Sequence, residues 1–241
     1  MDFYLMTGFR KRTFPGTEGR LRTALPVDES SAEFDSDLKE WQPEILARYS
    51  HFIDDWDIGF YYFYGTSREP VLTPNVDGTA LRQRYDLIQQ VALDLQLTRD
   101  ATLYKFEGIL RKGQGHVFGA YVAGLEHTLF RVFDSNADLG LLAEYLYDDR
   151  DEISYPTIYD NDLFVGTRLG LNDVQDTSAL FGLLVDLNND SKTLRLEAER
   201  RIGDWWKVEL ESQWFANIDH NDPLWNFEKD NFLTITIKRS F

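Results

Sequence analysis

NFLTITIKRSF, Asn231 to Phe241, ends the chain on an alternation of apolar and polar residues and a final aromatic. Leu233, Ile235, Ile237 and Phe241 fall on one side of an extended strand, and Thr234, Thr236, Lys238 and Ser240 on the other. A period of two over this length predicts a strand with one apolar and one polar face.

The same period recurs upstream. In DWDIGFYYFYG, Trp56, Ile58, Phe60, Tyr62 and Tyr64 share a face opposite Asp57, Gly59, Tyr61, Phe63 and Gly65. WKVELESQW sets Trp206, Val208, Leu210 and Trp214 against Lys207, Glu209, Glu211 and Gln213, and TLRLEAERRI sets Leu194, Leu196, Ala198 and Ile202 against Arg195, Glu197, Glu199 and Arg201. DLFVGTRLGL reads likewise, and similar patterns run near 2–12, 44–53, 84–96, 102–111, 117–132, 139–148 and 179–187. The expected fold is all-β and antiparallel, with about twelve strands near the 9–11 residues that a tilted strand needs to cross a bilayer.

The connections divide by length. IDDWD, LTRDA, FDSNAD, NDVQDT and IGDW are short and rich in Asp, Asn and Gly, as tight turns require, while 15–41, 66–82, 149–161 and 217–230 are long. A soluble sandwich has no reason to keep its long loops at one end. A transmembrane β-barrel has short periplasmic turns and long extracellular loops, and with the carboxy-terminus at the periplasmic end each short connection becomes periplasmic.

Composition narrows the partners. Of 241 residues, 41 are acidic and 25 basic, and the formal charge of −16 argues against nucleic acid. With no cysteine there is no disulfide, thiol nucleophile or thiolate-bound zinc. No run of about 18 apolar residues is present for a membrane helix. Trp56, Trp206, Trp214, Tyr49, Tyr145 and Tyr147 lie toward strand ends, as an aromatic girdle would. Charges on the apolar faces, at Lys11, Arg200 and Arg239, stay within a few residues of a connection, and Gln89 is the one polar residue in mid-strand on that side. A soluble barrel with its apolar faces inside shares the period; loop asymmetry, ring placement and Gly and Ala on the charged faces favour the membrane version.

The terminal FLTITIKRSF resembles the carboxy-terminal β-signal of Gram-negative outer-membrane proteins, departing from it at Arg239, where an aromatic or apolar residue is usual. RTFPGTEGRLRTALPVD and GTSREP are similar to segments of a poorly characterised, porin-like group of proteobacterial outer-membrane β-barrel proteins. That resemblance implies a location in the bacterial outer membrane, contact with outer-membrane lipids and lipopolysaccharide, and recognition of the last strand, through Leu233, Ile235, Ile237 and Phe241, by the barrel-assembly machinery. Such proteins carry a signal peptide and further amino-terminal strands. MDFYLMTGFRKRTF has neither a basic lead nor a cleavage site and opens inside a strand, so residues 1–241, read as one barrel domain, are expected to be the carboxy-terminal part of a larger barrel of roughly 16 to 18 strands, or else a complete one of about twelve.

Catalytic chemistry finds little footing. Ser50 and His51 point to opposite faces, His116 lies beside KGQG, His127 points to the apolar side, and His220 has acidic neighbours but no serine. The reading is therefore not an enzyme, with no cofactor and no resident metal. DSNADLG, Asp134 to Gly140, has calcium-loop spacing, yet its glycine falls one place late and Tyr145 stands where the loop needs Glu. DDRDE, Asp148 to Glu152, reads as a solvated outer loop in preference to a site for divalent ions shared with lipopolysaccharide phosphates. The charged faces carry the expected function: Arg48, Arg84, Asp86, Lys105, Glu107, Glu144, Arg168, Arg195, Glu197, Glu199, Lys207, Glu209 and Glu211 are expected to line a porin-like passage for small hydrophilic solutes. Charges left unpaired across strands would favour that channel, a self-neutralised interior a non-conducting structural or surface-binding barrel, and a His-Ser pair at the rim a lipid-modifying enzyme.

Overall fold

The structure is a computed structural model that describes residues 1–151 and 155–240. It is all-β, and no α-helix occurs among the described residues. Fifteen strands follow in order: β1 (Asp2–Met6), β2 (Val27–Phe34), β3 (Glu44–Ile53), β4 (Trp56–Thr66), β5 (Val71–Pro74), β6 (Leu81–Tyr85), β7 (Leu87–Arg99), β8 (Thr102–Lys112), β9 (Phe118–Leu129), β10 (Asp138–Asp148), β11 (Asn161–Gly170), β12 (Ser178–Asp186), β13 (Lys192–Ile202), β14 (Trp206–Ala216) and β15 (Phe232–Arg239). Twelve form one sheet in the order β1-β3-β4-β7-β8-β9-β10-β11-β12-β13-β14-β15, and β2-β6-β5 form a second.

Tight turns join β3 to β4, β7 to β8, β9 to β10, β11 to β12 and β13 to β14. Each contains a residue at positive φ: Asp54, Asp100, Phe133, Asn172 and Gly203 among them. Asp and Asn tolerate that conformation and Gly enters it without cost, which is why these connections are rich in all three.

Two sequence expectations need correction. The strand expected over 2–12 ends at Met6, because Gly8 takes φ +96° and Phe9 turns away to donate its N–H to the Glu40 carbonyl at 2.7 Å. The strand expected over 84–96 runs instead from Leu87 to Arg99, and Arg84 belongs to β6 of the smaller sheet. That sheet occupies segments expected to be loop. β2 pairs parallel with β6, the long excursion between them permitting it, and β5 and β6 make a hairpin.

The chain forms two compact units. One comprises Met1–Leu95, Phe106–Tyr121 and Asp148–Ile158, the other Gln96–Lys105, Val122–Tyr147 and Tyr159–Phe241. In the first, Phe9, Phe34 and Tyr85 make a small aromatic core, with centroids 4.8 Å apart for Phe9–Tyr85 and 5.2 Å for Phe34–Tyr85. In the second, β10 to β15 pair antiparallel in continuous register. One row across it reads Leu141, Thr167, Phe181, Leu196, Ser212 and Leu233, and the next row on the other face reads Gly140, Arg168, Leu180, Glu197, Glu211 and Thr234. The apolar face is exposed: Phe181, Trp206, Leu233, Ile235 and Ile237 all meet solvent. Among the described residues no helix is long and apolar enough to cross a membrane.

Candidate functional site

The charged face of β13, β14 and β15 is the densest constellation of charges that the sequence marks out. Its register sets like against like: Glu197 opposes Glu211, Glu199 opposes Glu209, Arg201 opposes Lys207, and Lys207 opposes Lys238. Like charges directly opposite are destabilising, but a diagonal neighbour two residues away is still within reach of long side chains. The attractive contacts take those diagonals. Arg195 reaches Glu211 at 3.0 Å, Lys207 reaches Glu199 at 2.8 Å, and Lys238 reaches Glu209 at 2.6 Å. Each of these three steps toward the short-turn end on passing from one strand to the next, a common sense that the uniform twist of the sheet provides. Along the strands, Arg195 also holds Glu197 at 2.5 Å and Lys207 holds Glu209 at 3.1 Å. Three cations thereby engage four carboxylates.

A cleft of about 490 Å³ lies over this face, lined by Arg168, Arg195, Glu197, Glu199, Glu209 and Glu211 among others. Arg168 approaches Glu126 at 3.4 Å. Glycine on this face does not leave open space. The Phe164 ring covers Gly166 and its neighbour Gly182, and a Cβ on either would strike it.

The other residues expected to line a passage are dispersed. Arg48 lies over the Tyr61 ring at 5.5 Å. Lys105 and Glu107 alternate on β8 with Arg111, and Glu144 lies against Gly124. Arg84 donates to Asp86 at 2.9 Å and to the Tyr155 hydroxyl at 3.0 Å. Burial pushes the Asp86 carboxyl up although Arg84 draws it down. Leu233, Ile235 and Ile237 stand exposed on the apolar face of β15, with Arg239 beside them over the Trp206 ring at 5.3 Å; Phe241 lies outside the described residues.

What sequence reasoning did not find is the role of GTSREP as a hub of the first unit. Arg68 forms a two-pronged pair with Glu44, at 2.5 and 2.9 Å, and Glu44 is 1% exposed. The Arg68 guanidinium also faces the rings of Phe9 (4.8 Å) and Phe63 (5.9 Å). The Ser67 hydroxyl accepts from the Gln114 amide at 3.3 Å. Glu69 binds Arg111 at 3.0 Å and Arg150 at 3.3 Å, and Arg150 binds Asp148 at 2.5 Å. Phe118, 1% exposed, lies between the Arg111 and Arg150 guanidinium groups, 5.7 and 5.1 Å from its ring centre. Burial raises the Glu69 carboxyl, but Arg150 and Arg111 outweigh it and hold it below its ordinary value. The signal available in the sequence was the clustering of Ser, Arg and Glu in one loop; their partners lie 24 to 81 residues away.

The histidines assemble no nucleophile. His51 stacks on Tyr49, His116 contacts the Asp149 carbonyl at 3.1 Å, His127 shares a 2.8 Å hydrogen bond with Thr102, and His220 packs on Trp225. In the calcium-like turn, Asp138 accepts from the Arg131 N–H and from Asn172, so its carboxylate holds neighbouring turns together. The chain matches no family model, no curated protein and no solved structure.

Proposed function

We propose that the twelve-stranded sheet is wall of a bacterial outer-membrane β-barrel with a charge-paired interior, and that the protein works as a structural or surface-binding barrel through its folded long connections. The diagonal pairing on β13 to β15 carries this reading. A face whose cations and carboxylates hold one another presents a solute with compact dipoles, not with a ring of one sign. Placement in the membrane is supported by the exposed apolar face and by connections that stay at eight residues or fewer at one end of the strands and are often long at the other, where β8–β9 and β12–β13 are the short ones. On this reading the apolar face meets outer-membrane lipid and lipopolysaccharide, and the last strand is what the barrel-assembly machinery reads. The long connections are the binding candidates, because β2, β5 and β6 give them a framework of their own.

A porin-like passage for small solutes is the second reading, and the cleft over the charged face is the observation that favours it. Planar-bilayer recording with the full-length protein separates the two. Silence from protein that keeps its β-sheet circular dichroism and heat-modifiable migration is expected. Stepwise openings whose ion preference shifts in Lys207→Glu would overturn the structural reading in favour of the porin.

A further inference from the structure

At the long-connection end of β11 and β12, two carboxylates face each other without a counter-charge. Asp162 and Asp186 are direct cross-strand partners, 2% and 9% exposed. Partners in such a pair have Cβ atoms about 4.5 to 5.5 Å apart. The Asp162 Oδ2 is fully buried and has no hydrogen-bond partner among the described residues. The largest charge effects on Asp162 come from Asp186, Asp160 and Asp222, all negative.

The surroundings are built around this pair. One oxygen of Asp186 accepts the backbone N–H groups of Asn188 and Asn189, at 2.7 and 3.2 Å. The Asn188 side chain donates to Asp160 at 2.6 Å, and the Asn189 side chain to Asp222 at 3.4 Å. Asp222 is itself 6% exposed. These bonds fix the loop but leave the Asp162 oxygen aimed at nothing that can neutralise it. An isolated buried carboxylate is strongly disfavoured, and two facing each other more so.

We propose that Asp162 and Asp186 form a divalent-cation site, with calcium as the fitting ion. Calcium is a hard cation that takes six to eight oxygens in flexible geometry. No group of three or more acidic or imidazole side chains at metal-ligand spacing occurs among the described residues. The two facing carboxylates therefore supply the charge, and backbone carbonyls and water would complete the shell. Magnesium, which demands a near-ideal octahedron, suits so irregular a set less well. With only two charges the affinity belongs to the weak extracellular class, Kd on the order of 10⁻⁴ to 10⁻³ M.

Terbium titration of the full-length protein in detergent micelles tests this, because Tyr145 donates to Asn161 at 2.8 Å beside the pair and would sensitise a bound Tb³⁺. Expected are Tb³⁺ luminescence that Ca²⁺ displaces, a melting temperature that rises with Ca²⁺ and falls with chelator, and loss of affinity by about tenfold or more in Asp162→Asn. Asp186→Asn should lose it too. Asp162→Asn should also melt higher than wild type under chelator, since the unbalanced charge is gone; a variant that only disturbed folding would melt lower. Wild type with no Tb³⁺ signal and no calcium effect, but with a melting temperature that climbs on acidification and not in Asp162→Asn, would replace the cation by a shared proton and overturn the proposal. So would an Asp162→Asn variant that binds as wild type does.

Discussion

Removing the Arg68 side chain is the sharpest probe of the first unit, because its partner cannot be rescued by water. Arg68 is 51% exposed and Glu44 is 1% exposed, so solvent reaches the guanidinium but not the carboxylate. Arg68→Met keeps the aliphatic length while leaving Glu44 with the Thr66 N–H, at 3.0 Å, as its remaining donor. Breaking a buried pair by deleting one member costs about 3 to 5 kcal/mol, and the exposure of Arg68 argues for the lower figure, about 3 kcal/mol. Loss of the two ring contacts, to Phe9 and Phe63, adds about 0.5 kcal/mol each at a half-exposed site, for a total of about 4 kcal/mol. Replacing Glu44 as well, by Gln, removes the stranded charge and should return about 2 kcal/mol, since a neutral amide costs less to leave half-satisfied. Urea unfolding in lipid vesicles, followed by tryptophan fluorescence, gives all corners of the double-mutant cycle. If Glu44→Gln/Arg68→Met is no more stable than Arg68→Met alone, the stranded-charge argument is refuted.

Acid should weaken the same region. Glu69 lies below its ordinary value, so its ion pairs contribute fully above the unfolded carboxylate range, and that contribution drains away as pH falls through the lowered folded value; Glu69→Gln should show a shallower acid limb in pH-dependent melting. Ile235→Arg places a charge on the exposed apolar face of β15 and should cost about 2 to 4 kcal/mol of folding into bilayers if that residue lies near the midplane, whereas unchanged vesicle insertion would mean that the face does not meet lipid. Gly182→Val should destabilise by about 1 to 3 kcal/mol, because its branch drives into the Phe164 ring, and Phe164→Ala in the same chain should return most of that; urea midpoints for the single and double variants read it directly.

The large sheet was legible because its strands obey a period of two and its turns carry residues suited to positive φ. Phe232–Arg239 of NFLTITIKRSF became β15 with Leu233, Ile235 and Ile237 on its apolar face, and Asp54, Asp100 and Gly203 sit at the turns their types announced. The smaller sheet falls in segments expected to be connections, although part of its signal was legible. VLTPNVDGTALRQRY holds two short runs about a turn-forming centre, and β5 and β6 form that hairpin, with the Asn75 N–H donating to the Ala80 carbonyl. β2 was not, since VDESSAEF has little apolar alternation and is held by a parallel partner far along the chain. The hub at Ser67, Arg68 and Glu69 was invisible for a related reason: a loop residue's partner is fixed by which other loops fold beside it, and no local period encodes that.

The charged face shows how register decides what a pattern of charges can do. Read along the chain, Arg195, Glu197, Glu199 and Arg201 against Lys207, Glu209 and Glu211 suggest opposite charges meeting across the wall. The hairpin through Gly203 instead sets acid against acid and base against base. Had the side chains been short, that register would have left repelling rows, which is one way to build rings of a single sign. Arg, Lys and Glu are long enough to take the diagonal, so a register that is unfavourable row by row becomes a set of ion pairs leaning in one direction. The half-exposed carboxylates remain hydrated, yet each is already engaged by a cation fixed in the same sheet. An ion entering the cleft would have to break those pairs to gain a partner, and that competition is the physical reason this face favours holding its own charges over selecting those of a solute.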